Sequence, residues 1–208
     1  MVVTNDDRLR YLASIFLDKC YQREEKKRNP FFLAPNYQMT ELQGAVALVQ
    51  LDRVENIVRR RNSLCTRLTG LLQEVPGITP QFTPEGNRHS YFLYLFKLNL
   101  DALSCTSRDF AEALAAEGIP SEANQITGGR PVYLYDIFQN RSAFPGSHWP
   151  FVSTETGTDK HYAVGDCPVA EDAYSKWMVM HIYEHYSETD IEEIAFGIHK
   201  AALHFLKQ

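Results

Sequence analysis

The stretch from Thr40 to Val75, TELQGAVALVQLDRVENIVRRRNSLCTRLTGLLQEV, constrains this chain most. Thr40 and Gln43 fit a capping box, in which each side chain satisfies a backbone N–H of the other at a helix start. Leu51, Val54, Val58, Cys65, Leu68 and Leu72 then recur at a 3-4 spacing, and Pro76-Gly77 stops the run. The pattern predicts one long helix with an apolar stripe, broken at Arg61, with the Arg59-Arg60-Arg61 run marking a candidate kink. Such a helix links two regions. The chain divides into residues 1–38, a linking helix over 39–75 and a region over 76–208.

Ahead of the helix, Met1-Val2-Val3 reads as a buried strand. Asp6 or Asp7 caps a helix to about Cys20, with Leu9, Leu12, Ile15 and Phe16 inward. Chains seldom begin inside a strand, so this start predicts further residues upstream. Residues 21–35 read as loop. Beyond the helix, Ser90–Leu100 (SYFLYLFKLNL) is the strongest strand, with Ile78–Phe82 able to pair with it. Ser107 caps a helix over 108–117 that Gly118 closes, and 119–125 reads as another strand. Residues 127–165 form a long loop of the kind that is functional or covered by a partner. A short helix over 171–176 and a strand over 178–183 come next. Ser187-Glu188-Thr189-Asp190 opens a last helix, with Ile191, Ile194, Ile198 and Leu203 inward. The fold class is α/β: a long helix plus a small antiparallel sheet covered by helices.

Composition removes several function classes. Hydrophobic residues at 44% and charged residues at 23% are the balance of a soluble globular protein. The net charge of −5, without a long basic run, excludes a nucleic-acid footprint. No apolar stretch approaches the ~18 residues of a membrane span. Cys20, Cys65, Cys105 and Cys167 are scattered without a C-x-x-C pair, so they read as free thiols in a reducing, cytoplasmic setting and not as a zinc site.

Candidate chemistry is sparse. Asn36, in Asn36-Tyr37-Gln38 just ahead of the long helix, has an amide that can donate to a phosphate oxygen without bringing a charge. The plainer alternative is a loop Asn that satisfies its own backbone. His181 and His185 are four apart but fall on strand and then turn, so they do not share a helix face as a metal pair would. His181 either lines a pocket or packs in the core. Arg130, Tyr133 and Tyr135, in TGGRPVYLYDIF, either contact a polar ligand or pin the loop down. Gly128 and Gly129 lack the strand-to-helix setting of a phosphate-binding fingerprint. No nucleophile and no acid–base pair stands out.

The segment PNYQMTELQGAVALVQLDRVENIVRRR resembles the Asn-Tyr-Arg-Met-Thr-Glu segment of the DegT/DnrJ/StrS aminotransferases. MVVTNDDRLRYLA is similar to the family segment directly after the Lys-containing Gly-Glu-Gly-Gly motif, and CPVAEDAYSKWMVMHIYEHYSETDIEEI to the family's C-terminal Cys-Pro-x-Ala-Glu segment and closing helix. The resemblance runs in order from Met1 to about Lys200. It implies the C-terminal part of a fold type I, pyridoxal-phosphate-dependent enzyme that aminates keto sugars, often nucleotide-linked, or keto cyclitols.

Under the resemblance, 1–38 is the end of the large cofactor domain with a connecting loop, and 76–208 is the small C-terminal domain. Asn36 binds the cofactor phosphate across a homodimer interface. The position of Gln38, usually Arg, faces the substrate, and a neutral amide there gives up a charge-assisted bond to an anionic substrate. Tyr133, Tyr135 and His181 carry over to the substrate pocket. None of the lysines stands in a Lys-then-Gly-Glu-Gly-Gly context, so the resemblance gives this chain no catalytic residue, no metal and no covalently held cofactor. The other reading is a non-catalytic interaction module that completes the active site of a separate Lys-bearing subunit.

Overall fold

A computed structural model describes residues 2–26, 29–123 and 130–207. The chain forms two units, Met1–Glu55 and Asn56–Gln208, with the division falling inside the long helix.

In the first unit, α1 (Asp7–Phe16) starts where Asp6 accepts from the backbone N–H groups of Arg8 and Leu9 at 2.8 and 3.0 Å. It ends four residues before Cys20, and only Ile15 is buried, while Leu9 and Phe16 are exposed. The predicted N-terminal strand does not form: Val2 and Val3 are 80% exposed and have no partner strand among the described residues. The chain reverses after α1 through Lys19 and Cys20, both in the left-handed region (φ 57° and 58°), where the Cys20 amide donates to the Ile15 carbonyl at 2.8 Å. Helix α2 (Glu41–Leu72) starts as its sequence dictates. The Gln43 amide donates to Thr40 Oγ1 at 3.3 Å, and Gln43 Oε1 accepts from the Thr40 amide at 2.9 Å.

The second unit is built on a four-stranded antiparallel sheet of β1 (Ile78–Pro80), β2 (Tyr94–Leu98), β3 (Glu122–Ala123) and β6 (Trp177–Met180), in the order β1-β2-β6-β3. β1 pairs with β2, as expected for these two segments, with Ile78 opposite Leu98, and Leu95 and Glu122 both pair with Val179 of β6. The alternation along β2 sends Tyr94, Phe96 and Leu98 into the core. There they meet Leu64, Cys65, Leu68 and Leu72 of α2, Phe110 and Leu114 of α3 (Ser107–Ala116), and Ile191 and Ile198 of α6 (Glu188–Phe205). Burial pushes the Cys65 thiol up to about 12, so it behaves as a small apolar side chain.

The expected cap of α3 moves by one residue. Thr106, not Ser107, forms the capping box, with Asp109, because only Thr106 is three residues from that carboxylate. Ser187 and Asp190 form the same box at α6. On α6, Leu203 is half exposed, and Ala195, Ala201 and Ala202 are buried instead. Of the strand expected over 119–125, β3 supplies Glu122–Ala123, and residues 124 and 125 lie outside the described residues, as do Gly128 and Gly129.

The long loop carries short elements of its own: a 3-10 turn (Val132–Leu134), α4 (Asp136–Gln139), and a hairpin of β4 (Val152–Ser153) with β5 (Thr158–Asp159). Phe138, Phe151 and Tyr162 pack their rings together at centroid distances of 5.5 to 6.3 Å and give the loop a small apolar centre. Helix α5 (Pro168–Lys176) then leads directly into β6. No described helix is long and apolar enough to cross a membrane.

Gly77, between α2 and β1, has φ 78°, and a Cβ there would lie 2.7 Å from Leu103 Cδ2. Gly118, which closes α3, has φ 80° and nothing within 4 Å. Gly77→Ala combines left-handed strain with overpacking and is expected to cost about 2–4 kcal/mol. Gly118→Ala bears only the strain, about 1–2 kcal/mol. Urea midpoints of the two variants separate these costs; equal losses would contradict the packing account.

Candidate functional site

Asn36 is fixed by backbone. It pairs with Asp18 in an isolated antiparallel bridge, in which the Tyr37 amide donates to the Leu17 carbonyl at 2.7 Å and the Lys19 amide to the Pro35 carbonyl at 3.0 Å. Phe16 packs on Phe32 and Tyr37 beside this bridge. The Asn36 side chain is exposed. Its Oδ1 accepts a long bond from the Gln38 amide, 3.4 Å, and its Nδ2 has no partner among the described residues. The structure thus shows the plainer reading, a weak local turn through the oxygen, and leaves the amide nitrogen unengaged among the described residues.

Gln38 borders a cleft of about 240 Å³ with Tyr11, Tyr21 and Arg23. At the base of that cleft lies Asp18, buried and ion-paired to Arg23 and to Lys19, the latter at 3.0 Å. The Arg23 hydrogen bonds hold the Asp18 carboxyl well below the usual carboxylate range, against the opposing effect of burial and with help from Lys19. Asp18 is the part of this unit that sequence reading misses. Nothing in LDKCYQR marks one acid as buried, because its partners come from a turn and not from a periodic face.

Tyr133 and Tyr135 sit together on the 3-10 turn and its exit. The Tyr133 hydroxyl donates to Glu171 on α5, and the Gly165 amide donates to the same carboxylate oxygen at 2.7 Å. Burial, and then this carboxylate, push the Tyr133 phenol up to about 12. The Tyr133 hydroxyl and the Gly165 amide hold Glu171 below its ordinary range. Arg130 lies 5.6 Å from the centre of the Tyr135 ring and pairs with Asp136 at 3.2 Å. These contacts pin the loop, as one of the two sequence readings had it, and they leave Tyr133 partly exposed.

His181 lies just past β6 and is exposed, which removes the core reading. With Ile182 buried, the extended backbone turns its neighbours on either side outward. His181 stacks on Tyr183 (5.7 Å, 12°), and Tyr183 stacks on His185 (5.3 Å, 13°). With Phe92, Ser121, Val179 and Tyr186, His181 lines a cleft of about 410 Å³ that includes neither Tyr133 nor Tyr135. The arginine run of α2 holds this segment. Arg61 pairs with Glu184 at 2.8 Å, and Arg60 donates to the Tyr186 carbonyl at 2.8 Å, while the helix continues through the run without a break. Within the second unit, then, the two tyrosines share one cluster and His181 belongs to another, while Asn36 and Gln38 belong to the first unit.

The sequence model of the DegT/DnrJ/EryC1/StrS aminotransferase family matches residues 1–199. The chain belongs to this family. The spore coat polysaccharide biosynthesis protein SpsC of Bacillus subtilis is 22% identical over 204 residues, which cover 93% of this chain and 47% of that protein. A Micromonospora echinospora protein provisionally named as an L-glutamine:3-amino-2,3-dideoxy-scyllo-inosose aminotransferase is 30% identical over 138 residues, 65% of this chain and 32% of that one. The Streptococcus pneumoniae protein Spr1654, provisionally named as a sugar aminotransferase and solved in its PLP form, superposes with a TM-score of 0.69 at 17% identity, covering 98% of this chain and 46% of that one. The fold is that of the fold type I aminotransferases. The chain spans less than half the length of these relatives. Family members are pyridoxal-phosphate enzymes that act on sugars and cyclitols with an amino donor.

Glu171 is a member of the Tyr133 cluster that spacing along the chain does not reveal. It stands in the Cys-Pro-x-Ala-Glu segment, but its partner Tyr133 is 38 residues away.

Proposed function

We infer that this chain is the C-terminal part of a pyridoxal-phosphate-dependent aminotransferase that aminates a keto sugar or keto cyclitol. In this reading, residues 1–38 end the large cofactor domain, 39–75 link, 76–208 form the small domain, and two copies assemble as a homodimer. The observation that carries the reading is the clamp on Asn36. A bridge that fixes its backbone and leaves Nδ2 exposed suits a donor waiting for an oxygen from another chain. Asn36 fits a phosphate as an auxiliary donor, because no carboxylate is bonded to it among the described residues.

When bound, pyridoxal phosphate supplies an electron sink for amino transfer. This chain's residues bind and orient. Asn36 would hold the phosphate of the partner's cofactor. Gln38 would meet the substrate with a neutral amide, which favours a cyclitol or an uncharged sugar group over a diphosphate at that contact. Tyr133 and Tyr135 would line the substrate side from the second unit, and His181 would approach it from the exit of β6.

The test is to express this chain with a Lys-bearing partner sequence from the same source, in frame or as a separate chain, and to follow glutamate- or glutamine-dependent amination of keto sugars and keto cyclitols. Amination that requires both parts supports the function. In the assembled enzyme, Asn36→Ala is expected to weaken cofactor affinity about 10- to 100-fold, the loss of one hydrogen bond to a charged group. Unchanged cofactor affinity would remove Asn36 from the site. Activity only with two separately encoded chains would favour the completing module.

A further inference from the structure

Glu171 and Tyr133 form a contact with a fixed direction. An ionised carboxylate has no proton to give, so the bond between them runs from the phenol to the acid. The same carboxylate oxygen takes the Gly165 amide at 2.7 Å, and Gly165 stands at φ 97°, a turn that aims its N–H inward. Gln139 braces the turn from the other side, donating from Nε2 to the carbonyls of Tyr133 at 3.0 Å and Tyr162 at 3.2 Å. Tyr133 is therefore held at its hydroxyl and at its backbone. A phenol has one proton and two lone pairs. With the proton committed to Glu171 and the Cys167 backbone N–H drawing on one lone pair, only acceptor capacity remains on the oxygen for anything that approaches this partly exposed side chain. An approaching anion would meet those lone pairs with a carboxylate behind them, and no cation is paired with Glu171 among the described residues.

We propose that Glu171 is a positioning residue that fixes Tyr133 as a hydrogen-bond acceptor, so that the ligand group facing Tyr133 is a donor, a hydroxyl or an ammonium, and not a phosphate or a carboxylate. The proposal deepens the aminotransferase reading and rests on it for the identity of the ligand as substrate. It assigns this contact to the polyol or amino part of that substrate.

The experiment uses the full chain with ¹³C-labelled tyrosine, with Tyr133→Phe to assign the signal. In the unsubstituted chain, Tyr133 stays protonated while exposed tyrosines ionise near pH 10. Glu171→Gln keeps the shape and removes the charge, and it is expected to bring the Tyr133 titration down by about one pH unit. The other tyrosine signals should hold their positions and so report an intact fold. The probes are myo-inositol and inorganic phosphate, each in the millimolar range. Myo-inositol is expected to displace the Tyr133 signal, and phosphate to leave it in place; in Glu171→Gln that preference narrows several-fold.

A Tyr133 titration that Glu171→Gln does not move overturns the positioning role. Phosphate acting as strongly as inositol, or neither probe moving the signal, overturns the donor preference. No arm requires cofactor or turnover. An aminotransferase assay that fails therefore leaves these outcomes readable, and a failed Tyr133 arm leaves the amination result standing.

Discussion

Borohydride added to this chain after incubation with pyridoxal phosphate is expected to fix no stoichiometric adduct at any one lysine, and amino transfer by the chain alone is expected to stay at background. A lysine that carries this cofactor must offer a neutral amine in a desolvated, electropositive pocket. Four of the lysines are engaged otherwise. Lys19 is paired with Asp18, Lys176 with Asp172 and Lys200 with Glu117, and Lys207 donates to the carbonyls of Leu100 and Asp101. None of the lysines precedes a Gly-Glu-Gly-Gly segment. Scattered, sub-stoichiometric labelling of exposed lysines agrees with this expectation. A single mapped lysine fixed at one equivalent, with turnover, would overturn it.

The isolated chain is also expected to self-associate through the first half of α2. Leu42, Val46 and Val49 lie on one face of that half at 82, 64 and 59% exposure, and Leu51 and Val54 on another at 66 and 46%. Two apolar faces on one helix mean that it is meant to be enclosed, not merely laid on a surface. Burying a single Leu or Val is worth about 1.5–3 kcal/mol, so five of them outweigh a large part of the cost of association. Sedimentation velocity across a micromolar concentration series should show species larger than the monomer, and Val46→Glu with Val49→Glu should shift the distribution back by at least several-fold in concentration. A stable monomer at every concentration would contradict the expectation.

That helix also shows where sequence reading succeeds and where it stops. Its start is legible because a capping box is local: Thr40 and Gln43 need only each other. The same holds for Ser187 and Asp190. The apolar spacing marks a face to be buried, yet Leu68 and Leu72 meet the sheet while Leu51 and Val54 stay exposed. Periodicity says that a face seeks a partner; it does not say which one. The core reading of His181 fails on a narrower point. Alternation around the buried Ile182 places His181 outward, and β6 ends at Met180, short of the apolar run that extends to Tyr183. Tyr133 is visible as a candidate, but its partner is not, since two residues on different loops and helices leave no spacing to detect. Asn36 owes its prominence to resemblance. The bridge to Asp18 that explains its rigidity joins residues 18 apart, with three left-handed, non-glycine positions between them among the described residues (Lys19, Cys20 and Lys26), which no pattern in the sequence announces.

The bridge has an evolutionary consequence. Because the backbone hydrogen bonds of Tyr37 to Leu17 and of Lys19 to Pro35 hold Asp18 opposite Asn36, the segment between them is a closed excursion whose two feet are tied together. Doubling such an excursion costs only about 0.6 kcal/mol in closure entropy. Relatives are free to lengthen, shorten or decorate it, and an engineer can insert a tag or open the chain there as a new terminus, while the Asn36 amide keeps its address.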